Sequence, residues 1–453
     1  MINDLSKSRI LLVNVGDIRS KRIYREYPLG LGYIGTILSN HSASVVIYDF
    51  SLEKVSIEEI LHNFQPSIIG LSFLSTSWPI ARDLIGKLRS QFNGWIIAGG
   101  IHSTLFPEEV LNTGVDVVLL GEGETSIVKL VKTLQNGLKE KLAAVPGMAF
   151  LHNKEVVITE NNPPIMNLDI IPFIDRDLFH DLTLYSHHSM IISRGCPYSC
   201  KFCCNWGVGV KKCRSRSPKN VVEEITYLIE RYQAKTIYFA DDLFFFNNSQ
   251  RMEFCDLILS NEIKFKWVVQ LRADSVSEQL LRLMKKAGCI KLCFGIESGC
   301  QEILDNIGKH ISIEQIRQTF NLIKNVGIKT KTWWILGLPG NYEQQLESLN
   351  FMKEITPNEI SIHSLIPLPG SEYWDHSENY GIHIQNRNNF NSLYYHSLPT
   401  NINFDYLSEL DIYNLFIHFI NELRKAGYKT TDECSENDDL ILSTPFEEKG
   451  FNI

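Results

Sequence analysis

Cys196, Cys200 and Cys203 stand in R-G-C-P-Y-S-C-K-F-C, a C-x3-C-x2-C spacing directly after an apolar run that reads as a strand. Three thiolates on one loop can hold three irons of a 4Fe-4S cluster, and the missing fourth protein ligand leaves one iron open to a small molecule. An open iron suits catalysis. Tetrahedral zinc ordinarily takes a fourth protein ligand, and neither this spacing nor a partner pair elsewhere matches a ribbon or a finger. Zinc and inert core cysteines stay as the alternatives, and the neighbouring Cys204 and Cys213 read as ordinary free thiols. Ten cysteines in 453 residues are too sparse for a disulfide scaffold. The N-terminus lacks a basic region followed by an apolar one, so a reducing cytoplasm is expected, where clustered cysteines signify metal or catalysis.

The elements that must carry this loop come in two series. Strands are predicted over Arg9–Val15, Ser44–Tyr48, Ser67–Phe73, Trp95–Ala98 and Val115–Leu120, each followed by a turn and a helical pattern. In the last of these helices Ile127, Val131 and Leu134 share a face, and Gly137 closes it as a left-handed cap. Such units make a doubly wound, Rossmann-like α/β sheet, whose ligands sit beyond the C-terminal strand ends. A hairpin-like stretch and a proline-bearing one come next, read as an ordered connector over residues 141–188. A second alternation places strands near Met190–Ser193, Thr236–Phe239, Phe265–Gln270, Lys291–Gly295, Thr330–Leu336 and Glu359–Leu365. Repeated βα units of this kind make a partial (β/α)6 barrel over residues 189–380. The region 381–453 reads as a short, mainly helical tail, with Leu415, Phe416, Phe419, Ile420 and Leu423 on one helix face.

Composition bounds the function. With 44% hydrophobic and 11% aromatic residues the chain is neither disordered nor fibrous. Lys plus Arg number 44 against 52 Asp plus Glu, a net charge of −8 that speaks against nucleic acid as a partner. No apolar run reaches the roughly 18 residues of a membrane span. Gly30, Gly32 and Gly35 match G-x-G-x-x-G, but a dinucleotide fingerprint belongs in the turn right after the first strand, which ends well before Gly30. The basic cluster Lys211, Lys212, Arg214, Arg216 and Lys219 reads as a solvated helix approach or a phosphate or carboxylate contact. Trp333 and Trp334 alternate on one strand, so only one can point into the barrel, where it lines the substrate pocket or packs the core.

The cysteine loop, together with Y-F-A-D-D-L-F-F-F, V-Q-L-R-A-D, C-F-G-I-E-S-G, W-I-L-G-L-P-G and I-P-L-P-G-S, resembles the radical S-adenosylmethionine enzymes. With Y-P-L-G-L-G-Y-I-G, G-G-I-H-S-T-L-F-P-E-E-V-L and G-E-G-E, residues 9–375 are similar to the subgroup that carries an N-terminal cobalamin-binding domain, here residues 1–140. The resemblance implies three cofactors: the 4Fe-4S cluster, S-adenosylmethionine on its open iron, and cobalamin. It makes Asp241, Arg272 and Glu297, at strand ends, candidates for S-adenosylmethionine contacts, with a structural ion pair as the ordinary reading of each. Gly337 and Pro339 would let backbone approach adenine, or simply make a tight turn.

Cobalamin domains of the mutase type use the histidine of D-x-H-x-x-G; this chain has Asp17 and then Arg19 in the histidine's place, so cobalt is expected without a histidine beneath. In the radical subgroup a residue of the loop after the third strand closes that lower face. Trp78 is the candidate here, against ordinary helix packing. His102 is set toward the corrin amides, against a hydrogen-bonded loop histidine, and Ser72, Ser75, Gly99, Gly100, Gly121 and Glu122 are candidate cofactor neighbours as a set. The small residues around Gly32 are expected to let the first helix approach the ring. The activity implied is methylation of an unactivated carbon through a 5′-deoxyadenosyl radical and methylcobalamin, on a small molecule or peptide, with a flavodoxin or ferredoxin as electron donor. Rearrangement, cyclisation or oxidation without methyl transfer is the second reading; a cobalamin sensor and a tRNA-modifying enzyme are weaker ones.

Overall fold

Apolar runs of five to seven residues with β-branched side chains, such as Arg9–Val15, can bury both faces only inside a parallel sheet covered by helices. The computed structural model describes residues 4–16, 26–52, 54–137, 139–205, 212–393, 401–430 and 440–443. Asp17, Arg19, Lys211 and the last residues of the tail lie outside them. The chain forms two compact units, Met1–His187 and His188–Ile453.

In the first unit β1 (Arg9–Val15), β2 (Ser44–Asp49), β3 (Ile68–Phe73), β4 (Trp95–Gly99) and β5 (Val117–Leu119) run parallel in the order 2-1-3-4-5. This is a doubly wound sheet whose order reverses at β1, the switch point where ligands bind. Two antiparallel strands extend it, β6 (Met148–His152) on β5 and β7 (Glu155–Ile158) beyond. The hairpin at the start of the expected connector is therefore the edge of the first sheet. The rest of the connector docks on the same unit: the His180 amide donates to Ile47 O at 2.8 Å and the Asp175 amide to Thr36 Oγ1 at 2.9 Å.

Glycines of the first helix, Leu29–Asn40, serve this packing. A Cβ on Gly32 would come within 2.9 Å of Ile174, and one on Gly35 within 3.1 Å of Ile47. Both glycines thus bring the helix onto protein side chains, where a ring neighbour was expected.

In the second unit β8 (His188–Met190), β11 (Thr236–Phe239), β12 (Lys266–Leu271), β13 (Cys289–Glu297), β14 (Lys329–Leu336) and β15 (Glu359–Ser364) are parallel and adjacent in chain order, a six-stranded partial barrel. The first strand lies slightly ahead of the expected Met190–Ser193. Beyond it the chain enters a short antiparallel ribbon of β9 (Ser193–Arg194) with β10 (Arg214–Ser215). The tail contains the expected helix, Glu409–Lys425, begun by a Ser408–Asp411 capping box. It also carries strands: a hairpin of β16 (Ile382–Ile384) with β17 (Ile402–Phe404), and β18 (Lys429–Thr430) with β19 (Ile441–Ser443), which extend the barrel sheet parallel to β15.

Candidate functional site

The cysteine loop leaves the C-terminal end of β8 and is tied down at every turn. Asp241, at the end of β11, accepts from the amides of Ile192 and Ser193 at 2.8 and 2.5 Å and from Ser193 Oγ at 3.1 Å, all on one carboxylate oxygen. The other oxygen is buried with no hydrogen-bond partner among the described residues. Burial pushes this carboxyl up to about 7. Asp241 thus faces inward and holds the approach to the loop, whereas it was expected to face an ammonium or a ribose. Asp242, beside it, is the exposed carboxylate of the pair, close enough to Cys196 and Cys203 to disfavour their ionisation.

Arg272, at the end of β12, lays its guanidinium 3.7 Å from the centroid of Tyr198, inside the loop. Its Nε and Nη2 donate to Asp274 at 3.1 and 3.0 Å, and Nη2 also to Lys309 O at 2.8 Å. Those edges are occupied, so Arg272 acts here as a clamp on the loop, in place of the expected grip on a methionyl carboxylate. The Lys201 amide donates to Ile307 O and its carbonyl accepts from the Tyr373 amide, both at 3.0 Å. Glu297 ends β13 in the left-handed region, φ +71°, beside a break in the β13–β14 register, and its carboxylate accepts from Lys309 Nζ at 2.9 Å. Backbone strain of this kind in a non-glycine residue persists only where its surroundings enforce it.

Burial raises all three loop thiols, Cys203 up to about 12, and Cys200 disfavours ionisation of both of the others. Arg272 and Lys309 act the opposite way on Cys200. Three half-buried thiols on a loop between two cations suit a group that exchanges their protons for metal and carries its own positive iron.

Gly337, with φ +86°, gives its amide to Gln345 Oε1 at 3.2 Å while its carbonyl accepts from Tyr406 at 3.0 Å. It is a turn glycine packed against Ile412 and Leu365, the second of its two sequence readings. Arg214 and Arg216 are buried, and Arg216 pairs with the buried Glu224, so those two members of the basic cluster are not a solvated face. Sequence reasoning missed Tyr198, Lys309 and Arg251. Arg251 is buried and donates to the carbonyls of Phe244, Phe245 and Ser275, joining the loops after β11 and β12. Tyr198 was legible by its place between two ligand cysteines.

In the first unit Asn14, Ser72 and Gly99 stand in register at the ends of β1, β3 and β4. A Cβ on Gly99 would meet only Leu119 O, at 3.8 Å, and Leu119 Cβ, at 3.9 Å, and one on Gly121 would meet nothing within 4 Å. Gly100 has φ +93°, and Gly121 donates its amide to Thr104 Oγ1 at 3.1 Å. Small residues therefore leave open space above the strand ends, as a large flat ring requires.

Trp78 is 1% exposed, stacked between Phe73 and His102, with its indole N–H on Glu109 Oε1 at 2.7 Å. In this structure it packs among the helices, as its ordinary reading has it. His102, also fully buried, has Nδ1 3.1 Å from Ser75 Oγ, and burial holds its pKa down to about 3. His102 Nδ1 and Ser75 Oγ thus pair below the surface, and His102 Nε2 lies 3.8 Å from Glu109 Oε2. Glu122 accepts from the Ile165 amide at 2.9 Å and anchors the connector. Leu74, in the same loop after β3, is 47% exposed and is the residue that this loop presents outward.

The Radical SAM superfamily profile matches residues 190–352, and the B12 binding domain profile residues 17–131. An uncharacterized methyltransferase of Pyrococcus horikoshii is 28% identical over 363 residues, 77% of this chain and 78% of that protein. The anaerobic magnesium-protoporphyrin IX monomethyl ester cyclase of Cereibacter sphaeroides is 29% identical over 311 residues, 66% of this chain but only 50% of that protein. Among solved structures, the radical S-adenosylmethionine methyltransferase TsrM from Kitasatospora setae aligns with a TM-score of 0.70 and 17% identity, over 83% of this chain and 77% of that one, a likeness of fold.

Proposed function

Since the chain belongs to the radical SAM superfamily and carries a B12 binding domain ahead of the radical SAM domain, we propose that it methylates an unactivated carbon of a small molecule or peptide. The two domains in one chain carry the reading, and the methyltransferase relatives support it. When bound, the 4Fe-4S cluster and S-adenosylmethionine supply a hydrogen-abstracting 5′-deoxyadenosyl radical, and cobalamin supplies a transferable methyl group.

Cys196, Cys200 and Cys203 would hold the irons. Tyr198 under Arg272, and Asp241 on the Ile192 and Ser193 amides, fix the loop that presents them. Glu297, held by Lys309, and Asp242 would receive the ammonium or ribose of S-adenosylmethionine. Ser72, Gly99, Gly100 and Gly121 would floor the cobalamin site, with Leu74 as its apolar contact from the loop after β3. An electron donor of the flavodoxin or ferredoxin type would reduce the cluster. Among the described residues no helix is long and apolar enough to cross a membrane.

The cyclase relatives favour one second reading, radical chemistry with cobalamin but without methyl transfer. Turnover with methyl-labelled S-adenosylmethionine separates the two. Methylation consumes two molecules per product and yields 5′-deoxyadenosine and S-adenosylhomocysteine in equal amounts. A product without label, with deoxyadenosine alone, would replace the methyltransferase by the second reading.

A further inference from the structure

The geometry points to an anion site on the concave inner face of the partial barrel, in which Lys331 and Trp333 hold a carboxylate or phosphate group of the substrate. This deepens the function proposed above and rests on the barrel being the reaction chamber. In a closed barrel the inward side chains fill the interior and are buried. Here they are not. On β14 the inward Lys331, Trp333 and Ile335 are half-buried, whereas the alternate Thr330, Thr332, Trp334 and Leu336 are buried. Trp334 packs on Phe351 of helix Tyr342–Ile355, which fixes its side as the outer one. The same alternation leaves Tyr238 on β11 and Gln270 on β12 half-buried between buried neighbours. On β11, β12 and β14 the inner face is thus lined but not filled.

Its charge is unbalanced. By strand register Lys331 lies level with Cys293 and Glu359, and Trp333 level with Gly295 and Ser361. Lys291 takes one oxygen of Glu359 in a tight ion pair, and Lys331 Nζ reaches the other only at 3.9 Å. Two ammonium groups against one carboxylate leave one positive charge, and burial keeps the Cys293 thiol neutral by pushing it up to about 12. Lys331 Nζ stands 5.7 Å from the centroid of the Trp333 ring, which attracts the cation without neutralising it. On the next strand, level with Trp333 and one step beyond it, Ser361 Oγ and His363 Nε2 stand 3.0 Å apart. The level beside Trp333 is that of Gly295, whose missing side chain makes room for the Glu297–Lys309 pair. An ammonium in a partly desolvated concavity, with an aromatic wall and hydrogen-bonding side chains beside it, is a receptor for an anion.

Calorimetric titration of the cofactor-loaded protein tests the site, with S-adenosylmethionine saturating so that its own carboxylate is already accommodated. The probes are benzoate, inorganic phosphate and, as a neutral isostere, benzyl alcohol. Benzoate or phosphate should bind saturably and benzyl alcohol should not, and the tighter of the two anions identifies the group. Lys331→Met should weaken the anion at least about tenfold, Lys331→Arg should stay within about threefold, and Lys329→Met, on the exposed start of the same strand, should change nothing. Equal binding of benzoate and benzyl alcohol, or an unchanged affinity in Lys331→Met, overturns the proposal. Deoxyadenosine formation by the same preparation reports separately on the enzymatic reading, because it needs no anion at Lys331.

Discussion

At the scale of single residues, the carboxyl of Asp241 makes a pH-dependent prediction. Burial lifts it from 3.8 to about 7 despite three hydrogen bonds that favour the charged form. Between those values the folded chain keeps a proton that the unfolded chain has released, so this group's contribution to stability falls as pH rises from about 4 to about 7. Asp241→Asn keeps an acceptor for the Ile192 and Ser193 amides and removes the titration. Its deficit in thermal stability against the unaltered protein should therefore shrink between about pH 5 and pH 8. A constant deficit would mean that the folded carboxyl is ionised throughout. His102 makes a second prediction: enclosed by Trp78 and Ser75 and neutral, it cannot reach a cofactor above the strand ends. Electron paramagnetic resonance of the cob(II)alamin form should show no nitrogen splitting assignable to it, and His102→Ala should leave that spectrum unchanged. Residue type was legible at these positions and direction was not. Trp78 and Leu74 share one loop, and only the packing of Phe73, Trp78 and His102 decides that the tryptophan turns in and the leucine out.

At the scale of elements, β13 ends in a feature that no residue of it makes alone. Gly295 precedes a register break, Glu297 comes next but one in the left-handed region, and its carboxylate lies over the glycine. A Cβ on Gly295 would fall 2.3 Å from Glu297 Oε1 and 3.2 Å from Lys309 Nζ. Gly295→Ala should thus displace the Glu297–Lys309 pair and weaken S-adenosylmethionine binding by at least about tenfold, the loss expected when one charged partner is misplaced. Iron content should stay unchanged, since the cysteine loop is held from β11, β12 and residues 307–309; equilibrium dialysis and iron analysis would report the two. The strands themselves were legible where apolar runs met turn residues, as at Arg9–Val15 and Thr236–Phe239, whose bounds match. Short edge strands were not. Lys429–Thr430 and Ile441–Ser443 carry too few residues to show alternation, and only pairing with β15 makes them strands. The Glu155–Ile158 hairpin arm read as a connector because nothing local says which sheet edge it joins.

At the scale of the whole molecule, the two cofactor sites draw on different parts of the chain. Every described residue assigned to the cobalamin floor lies within Met1–His187, and every residue that ties the cysteine loop lies within His188–Ile453. Each unit has its own parallel sheet, and no strand is shared between the two sheets. Among the described residues, strand pairing therefore does not connect the iron ligands to the cobalamin floor. The variant in which Cys196, Cys200 and Cys203 are all alanine should lose iron, sulfide and 5′-deoxyadenosine formation together. It should still bind hydroxocobalamin with an affinity within about threefold of the unaltered protein, a difference below about 1 kcal/mol. Ultraviolet–visible titration with hydroxocobalamin and iron analysis on the same preparation decide it. Retained iron in the triple variant would remove the cysteine loop as the cluster site. Cobalamin lost along with the iron would mean that the cofactor needs groups from the second unit, and the floor of Ser72, Gly99, Gly100 and Gly121 would then not be sufficient to hold it.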